Sequence, residues 1–370
     1  MSVSKARAVV MAGGFGTRLR PLTATLPKPM VPVADRPMME HVIRLLKKHG
    51  FDDIIVLLYF QPDKITEYFG DGSRLGVKLD YLRPEGDFGT AGSVRLALDR
   101  LDDQFLIISG DVLTDFDLSS AFRFHTENKG EATLVLTRQE NPLPFGVVIT
   151  DDDHRINRFL EKPSWGEVFS DTVNSGVYVI EKCSMAELPA ERFIDFGRDL
   201  FPRWLRENRL MRGYVADGYW RDIGNVDEYA QAHLDILHSR VRVEMIGERT
   251  AGDNGTEIYC GANVSIADGA VLTGKVILGH GVQIGPGARI SDSVIGSFSE
   301  IDEDAGVRGS IIWSHVRVGA NSDISEAILC DRVRVGQRVT VLPQAILSED
   351  VRVGRSVVIK ANCKIFRAPS

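Results

Sequence analysis

The sequence predicts an α/β domain with a mostly parallel sheet, followed by a parallel β-helix. Two patterns carry this prediction. From residue 7 to about 238, short apolar runs alternate with amphipathic stretches, whereas from Cys260 onward small or aliphatic residues recur about every six positions. Alternating strands and helices are typical of a parallel sheet that helices cover on both faces. A length of 370 residues also favours two domains over one.

In the first domain, predicted strands alternate with amphipathic helices. The stretch Pro37–His49 is predicted to be a helix, because proline suits a first turn and Gly50 suits the residue after the last one. Sheets of this kind bind ligands beyond the carboxyl ends of their strands. We therefore expect a Rossmann-like domain over residues 1–238, with its site at that edge. The other predicted elements are strands at Ala6–Met11, Asp53–Tyr59 and Gln104–Ser109 and a helix at Ala91–Leu101.

The second domain is predicted from nineteen small or aliphatic residues that are spaced by six, with occasional steps of five. Each step forms one flat side and three sides close a triangular coil, so nineteen sides make about six coils. We expect a left-handed parallel β-helix of hexapeptide repeats over residues 258–370, and a polar linker over 239–257. The repeating positions are Cys260, Ile266, Leu272, Leu278, Ile284, Ile290, Ile295, Ile301, Val307, Ile312, Val318, Ile324, Leu329, Val335, Val341, Leu347, Val353, Ile359 and Ile365.

The composition argues against several classes of protein. A formal net charge of -7 gives no general electrostatic footprint for nucleic acid. No apolar run approaches the roughly 18 residues of a membrane span, and none resembles a signal peptide. The four cysteines are too sparse for a disulfide framework. We therefore expect a cytoplasmic protein that binds neither nucleic acid nor membranes.

A glycine-rich loop follows the first predicted strand. It reads Gly13-Gly-Phe-Gly-Thr-Arg-Leu19 and is followed by Pro27-Lys-Pro29. Glycines after a strand let the backbone approach a ligand closely and point amides at phosphate oxygens, and Arg18 and Lys28 would add the positive charge that a triphosphate needs. The run matches neither GxxxxGK[ST] nor GxGxxG, the common nucleotide-binding loops. A glycine turn with two surface cations is the alternative interpretation.

This loop and the segments after it resemble the signature of the sugar nucleotidyltransferase (nucleotide-diphospho-sugar pyrophosphorylase) family over residues 7 to about 235. The resemblance implies that the loop holds a nucleoside triphosphate, while Arg18 and Lys28 contact its phosphates and stabilise the transition state. It makes Glu85–Gly92 the base-recognition loop, which opens a predicted helix whose N-terminus would present free amides. The implied nucleotide-binding residues are Gly13, Gly14, Gly16, Thr17, Glu85, Gly89 and Thr90.

Two acids and a set of sugar-binding residues complete the implied site. Asp111 follows the predicted strand 104–109, and Asp222 lies in Gly218-Tyr-Trp-Arg-Asp-Ile-Gly224, although either could be an ordinary turn residue. In the family the Asp at each position is a metal ligand, which implies one Mg²⁺ shared by two carboxylates and the phosphates. Similar motifs imply that the sugar contacts Gly146, Glu161 and Asn174 and that its phosphate contacts Lys162.

The resemblance also implies a reaction, a single in-line displacement. A sugar-1-phosphate oxygen attacks the α-phosphorus of the nucleoside triphosphate, and pyrophosphate leaves, which depends mainly on positioning and charge neutralisation. The segment Gly89–Gly92 and the attached β-helix most resemble the mannose-1-phosphate guanylyltransferases, which predicts GTP and mannose 1-phosphate as substrates. Glucose-1-phosphate uridylyl-, thymidylyl- and adenylyltransferases share most of these motifs and remain alternatives, as does a non-catalytic regulatory subunit.

The β-helix itself is open to two interpretations. The flat sides and end coils of a solenoid are free for partners, which predicts a homo-oligomer assembled through this domain. The alternative is an acyltransferase with His280 or His315 as base, which the lack of a long inserted loop disfavours. Side chains next to inward positions should turn outward, and exposed apolar groups often mark an interface. The expected interface residues are Trp313, Ile346, Val358 and Phe366.

Overall fold

The computed structural model describes residues 6–251 and 255–367, which fold into two compact units. The first unit contains the chain up to Phe15 together with Met38–Asp222. The second unit contains Gly16–Pro37 together with the chain from Ile223 onward. The sequence alone does not indicate this grouping, in which an N-terminal segment packs with the C-terminal part of the chain. The predicted domain boundary at residue 238 stays a prediction.

The first unit is built on a mixed sheet whose central order is β10-β9-β11-β6-β1-β4-β5, with β8 beside β11 and β12 beside β8. β1 runs parallel to its two neighbours, β4 and β6, and β5 runs parallel to β4. In contrast, β11 runs antiparallel to β6, β8 and β9. The predicted fold class is confirmed, with antiparallel pairing added on one side of the sheet. The strands are β1 (Ala8–Ala12), β2 (Pro32–Val33), β3 (Arg36–Pro37), β4 (Asp53–Leu58), β5 (Lys78–Leu82), β6 (Gln104–Ser109), β7 (Val112–Thr114), β8 (Ala132–Arg138), β9 (Gly146–Thr150), β10 (Ile156–Glu161), β11 (Thr172–Glu181), β12 (Met211–Val215) and β13 (Trp220–Asp222), of which β2 and β3 belong to the second unit.

The helices follow the predicted amphipathic stretches. In α1 the stripe that includes Met38, Val42 and Leu46 is buried, as its spacing predicts. The helix predicted to reach Leu101 ends at Leu96 and tightens into a 3₁₀ turn at Leu98–Arg100, a common way for a helix to end. Within the described residues, no helix is long and apolar enough to cross a membrane. The helices are α1 (Met38–Lys48), α2 (Pro62–Phe69), α3 (Gly89–Leu96), α4 (Leu118–Asn128), α5 (Lys182–Ala186), α6 (Phe201–Arg206) and α7 (Val226–Leu237).

Most of the second unit is a parallel β-helix with three flat sides. Its strands β15–β33 are nineteen in number, as the repeat predicts, and each strand pairs in parallel with the third one after it. Eighteen of the nineteen predicted positions lie in the core or pack against it, whereas Ile266 of the first coil is 43% exposed. The strands are β14 (Glu248–Ala251), β15 (Glu257–Cys260), β16 (Ser265–Ile266), β17 (Val271–Thr273), β18 (Lys275–Leu278), β19 (Gln283–Ile284), β20 (Arg289–Ser291), β21 (Val294–Ile295), β22 (Glu300–Ile301), β23 (Gly306–Arg308), β24 (Ile311–Ile312), β25 (Arg317–Val318), β26 (Asp323–Ser325), β27 (Ile328–Leu329), β28 (Arg334–Val335), β29 (Thr340–Val341), β30 (Ile346–Leu347), β31 (Arg352–Val353), β32 (Val358–Ile359) and β33 (Lys364–Ile365).

The segment predicted as a linker, residues 239–257, is not entirely irregular. Strand β14 within it pairs antiparallel with β15 and so extends one side of the β-helix by a strand. Such a strand satisfies backbone groups that would otherwise form an open edge. Residues 252–254 of the predicted linker lie outside the described residues.

Two of the four expected interface residues are buried, which corrects that prediction. The side chain of Trp313 follows an inward residue, as expected, but only 3% of it is exposed, and its Nε1 donates to Tyr229 Oη of α7 at 2.8 Å. Ile346 is also buried. The alternation along a strand predicts the side of the coil on which a residue lies, but not the element that covers that side. Val358 and Phe366 are exposed, as predicted.

Candidate active site

A cavity of about 350 Å³ lies at the carboxyl ends of β1 and β4 in the first unit. Gly13 and Gly14 line it directly after β1, together with Phe15, whose ring packs edge-on against Tyr59. A side chain at Gly13 would begin 3.2 Å from Tyr59 Cβ, so glycine leaves room for the aromatic wall. The lining residues are Met11, Ala12, Gly13, Gly14, Phe15, Leu57, Leu58, Tyr59, Pro84, Gly86, Asp87, Gly89, Thr90, Ser93, Ser109, Asp111, Phe193 and Asp195.

The N-terminus of α3 forms another wall of this first cavity. Gly89 has a φ of +66°, and a Cβ there would lie 2.7 Å from Ile194 O, so only glycine fits comfortably. The Thr90 hydroxyl donates to Asp195 Oδ2 at 3.0 Å and accepts from Phe196 N at 2.9 Å. No local sequence pattern predicts this partner segment, which is more than a hundred residues away in the chain.

Two details of the predicted base-recognition loop need correction. Gly89 and Thr90 were expected to present free amides, but the Gly89 amide donates to Asp87 Oδ1 at 3.1 Å. The next two amides, of Ala91 and Gly92, donate to Ile194 O at 2.9 and 3.1 Å. The amides of Ala91 and Gly92 have hydrogen-bond acceptors because the chain around Ile194 packs against the start of α3. Glu85 is exposed and does not line the cavity, whereas Gly86 and Asp87 do.

A second cavity, of about 200 Å³, gathers the predicted sugar-binding residues. Gly146, Glu161, Lys162 and Asn174 all line it, although they come from three different strands and a loop. The Lys162 amide donates to Phe145 O at 3.0 Å, which ties the two loops together. The lining residues are Ser109, Asp111, Val112, Pro144, Phe145, Gly146, Glu161, Lys162, Asn174, Ser175, Gly176, Trp220 and Asp222.

Glu161 is the buried acid of the second cavity. A Cβ at Gly146 would lie 2.7 Å from its Oε2, and one at Gly197 would lie 2.6 Å away, so two glycines leave the space that the carboxylate occupies. Burial raises the pKa of Glu161, Asp195 adds to the rise, and the positive charge of Lys162 opposes it. The Lys162 Nζ lies 3.9 Å from Glu161 Oε1 and its side chain is half exposed. The pair offers an acceptor for hydroxyl groups beside a cation for a phosphate.

Two aromatic residues, Phe145 and Trp220, form the floor of the second cavity. Neither was predicted as a site residue. Phe145 and Trp220 meet edge to face, with ring centroids 5.0 Å apart. Trp220 Nε1 donates to Ser175 O at 2.8 Å, which fixes the indole. The Asn174 amide donates to Tyr178 Oη at 2.9 Å and its carbonyl oxygen accepts from Gly176 N, so its orientation is also fixed.

Strand pairing brings the two candidate metal ligands together. β13 lies antiparallel to β7 with Asp222 opposite Val112, the residue next to Asp111. Ser109 Oγ donates to Asp111 Oδ1 at 2.5 Å. Both acids line the second cavity, and Asp111 also lines the first. Among the described residues no group of three or more His, Cys, Asp or Glu side chains could hold a metal. Two carboxylates fit Mg²⁺, whose other ligands are usually water and phosphate oxygens.

Arg18 and Lys28 fall in the second unit, because the units divide between Phe15 and Gly16. Gly16 has a φ of +63°, and a Cβ there would lie 2.9 Å from Lys28 Cβ. Thr23 Oγ1 donates to Gly16 O at 2.7 Å, which closes this turn. Lys28 is buried, whereas Arg18 is exposed in the middle of the short 3₁₀ turn Thr17–Leu19.

Comparison with known proteins identifies the fold of both parts. Residues 7–239 match the Nucleotidyl transferase family, and residues 255–365 match the LbH (left-handed β-helix) domain of EIF2B subunit epsilon. The chain belongs to the nucleotidyl transferase family. A mannose-1-phosphate guanylyltransferase from Mycobacterium tuberculosis is 35% identical over 298 residues, which cover 80% of this chain and 81% of that protein.

Other relatives in the nucleotidyl transferase family act, by name, on a different sugar. A UTP–glucose-1-phosphate uridylyltransferase from Synechocystis is 33% identical over 80% of this chain and 84% of its own length. The crystal structure of a glucose-1-phosphate thymidylyltransferase from Bacillus anthracis aligns with a TM-score of 0.56 at 24% identity, over 61% of this chain and 93% of that one, and supports the fold alone. The predicted class of enzyme, a sugar-1-phosphate nucleotidyltransferase, is confirmed by these relatives.

The burial of Glu161 leads to a prediction about pH. Since the pKa of Glu161 is raised, the carboxylate loses its charge at a higher pH than an exposed Glu would. Glu161→Gln should therefore raise the KM for the sugar 1-phosphate at pH 8 by about tenfold, the value of one charged hydrogen bond. As the pH falls, the ratio of variant to wild-type KM should decline towards one, and the decline should begin at a higher pH than an exposed Glu would give. A ratio that is independent of pH would show that the charge of Glu161 is not used in binding.

Proposed function

We propose that this enzyme transfers GMP from GTP to mannose 1-phosphate, giving GDP-mannose and pyrophosphate. The observation that supports it best is the pair of adjoining cavities that share Ser109 and Asp111. A nucleotide in the first cavity and a sugar phosphate in the second would meet at this wall. The α-phosphorus and the attacking phosphate oxygen would then lie beside the two aspartates.

Each cavity suits one substrate chemically. The first combines an apolar wall, Tyr59 and Leu57, with the glycine backbone after β1, which suits a base and its phosphates. The second combines an aromatic floor, fixed amides and the Glu161–Lys162 pair, which suits a sugar ring with a phosphate. The proposed reaction is the in-line attack of a sugar-phosphate oxygen on the α-phosphorus, with the P–O bond to the leaving pyrophosphate breaking as the new one forms.

Asp111 and Asp222 are the residues that would hold Mg²⁺. The metal would neutralise charge on the reacting phosphates. Ser109 would keep the Asp111 carboxylate oriented through its 2.5 Å hydrogen bond. Lys162 would bind the phosphate of the incoming sugar. By the resemblance of the glycine loop, Arg18 and Lys28 would stabilise the negative charge on the departing pyrophosphate.

The choice of GTP and mannose 1-phosphate rests on the names of relatives, of which the Mycobacterium tuberculosis protein is one. The Synechocystis relative supports UTP and glucose 1-phosphate as the second candidate. A screen of pyrophosphate release should separate them, using four nucleoside triphosphates against glucose-, mannose- and hexosamine 1-phosphates. We expect the highest kcat/KM for GTP with mannose 1-phosphate, and a higher value for UTP with glucose 1-phosphate would replace the proposal.

We also propose that the chain forms a homo-oligomer through the β-helix. Support comes from Val358 and Phe366 near its C-terminal end, which are 62% and 53% exposed. The double variant Val358→Lys with Phe366→Ser should shift the sedimentation coefficient towards that of a monomer, because a buried lysine charge opposes association. Val271→Lys, at a 51% exposed position in the first coil, is the matched control. A full chain that stays monomeric at high micromolar concentration would exclude the assembly.

A further inference from the structure

The segment Gly16–Pro37, which carries Arg18 and Lys28, ends in the hairpin β2–β3. Its two turn residues, Ala34 and Asp35, have φ values of 49° and 63°. Successive left-handed residues are typical of a type I′ turn, in which Asp is well tolerated. The turn projects the Asp35 carboxylate onto a corner of the β-helix.

The corner binds the Asp35 carboxylate with three hydrogen bonds. Oδ1 accepts from Ser297 N at 3.0 Å and from Ser314 Oγ at 3.4 Å, and Oδ2 accepts from Ser297 Oγ at 2.6 Å. The two serines occupy the same position in successive coils, since Ile295 and Ile312 just before them are paired. A carboxylate with several donors is much more strongly held than a neutral side chain would be.

The corner also has the shape that the carboxylate needs. A Cβ at Gly279, in the preceding coil, would lie 2.3 Å from Asp35 Oδ2. Ser297 Oγ accepts from His280 N at 2.9 Å while it donates to Asp35, so the β-helix backbone orients the hydroxyl. The site for Asp35 is thus part of the coil structure and not a chance surface contact.

A second set of contacts anchors the same hairpin to α7. Tyr229 Oη donates to Pro32 O at 2.7 Å and accepts from Trp313 Nε1 of the β-helix at 2.8 Å. Ala34 N lies 3.2 Å from His233 Nε2. The indole expected at a subunit interface therefore takes part in a buried connection between the hairpin and the coils.

We propose that Asp35 is a positioning residue, through which the β-helix fixes the segment that carries Arg18 and Lys28. The β-helix then contributes to catalysis without touching substrate. This inference rests on the role proposed above for Arg18. Small displacements of a catalytic group are costly, since an error of about 1 Å can lower a rate by about 10²-fold.

The test is a double-mutant cycle between Asp35 and Arg18 in the full chain. Asp35→Asn keeps the volume and the left-handed turn but removes the charge. It should lower kcat about tenfold and change the KM of either substrate less than about twofold. In the Arg18→Ala background the same change should lower kcat by clearly less than tenfold, because one of the two groups that it misplaces is already gone. Asp304→Asn is the matched control, an exposed corner Asp with a φ of 55°.

The outcomes separate this inference from the proposed function. An unchanged kcat in Asp35→Asn, or a full tenfold loss that persists in the Arg18→Ala background, would overturn the positioning role. A wild-type kcat in Arg18→Ala would instead overturn the role of Arg18. If Asp35→Asn lowers the melting temperature too far for kinetics, Ser297→Ala provides a milder break of the same contact. Hydrogen exchange should then increase in peptides from residues 16–37, and exchange that is unchanged there would contradict the anchor.

Discussion

Asp111→Asn and Asp222→Asn should each lower kcat/KM by about 10³-fold while leaving the fold intact. A metal that acts on phosphoryl oxygens contributes several kcal/mol, and each 1.4 kcal/mol or so is a factor of ten in rate. The β13–β7 pairing that holds Asp222 beside Val112 uses backbone groups, so an amide side chain should not disturb it. The two variants should therefore keep the wild-type melting temperature.

Metal binding gives a second measurement that does not depend on turnover. Mn²⁺ binding followed by electron paramagnetic resonance, with a non-hydrolysable triphosphate present, should weaken at least about tenfold in either variant, since loss of one supporting contact to a metal ligand already costs 10 to 100-fold. Asp217→Asn is the control, an exposed acid of the same segment that lines neither cavity. Near-wild-type turnover in Asp111→Asn or Asp222→Asn would remove that residue from the metal site.

The β-helix could be predicted closely because each of its strands repeats one local rule. An apolar residue every six positions indicates both the coil and the inward face, and all nineteen predicted strands are present. The same rule cannot show what lies against the outside of a coil. Trp313 turns outward as expected, yet it is buried against α7, whose proximity the period does not encode, and Ile346 is buried as well.

The candidate site was predictable where a motif places a residue directly after a strand. Gly13 after β1 and Asp111 after β6 are of this kind, and each lines a cavity. Residues that reach the site through packing of remote segments were missed. Asp195 contacts Thr90 from more than a hundred residues away, and no local pattern marks it.

The placement of Gly16–Pro37 is the clearest case of information that is absent from local sequence. Its glycine loop begins in one compact unit and continues in the other. The contacts that decide this, such as Ser297 with Asp35, join residues more than 250 positions apart. Such pairs follow from the three-dimensional register of the coils.

Arg18→Ala should lower kcat by about 10²–10³-fold, the usual effect of removing one group that stabilises charge in a transition state. The KM for the triphosphate should rise much less, because negative charge on the leaving pyrophosphate develops only as the P–O bond breaks. Arg18 is exposed, so its removal should not change the melting temperature. Single-turnover measurements of pyrophosphate release would compare the chemical step directly.

Two further variants sharpen the interpretation of Arg18. Arg18→Lys should recover only part of the rate, since an ammonium group replaces the two-pronged contact of a guanidinium with a point charge. Arg20→Ala is the matched control, because Arg20 is an exposed arginine two residues further along the same turn. It should keep kcat within about twofold of wild type, as surface changes away from a site usually do. If Arg18→Ala raises the KM for the triphosphate and leaves kcat unchanged, Arg18 binds the ground state and the transition state equally, and its proposed role in catalysis is wrong.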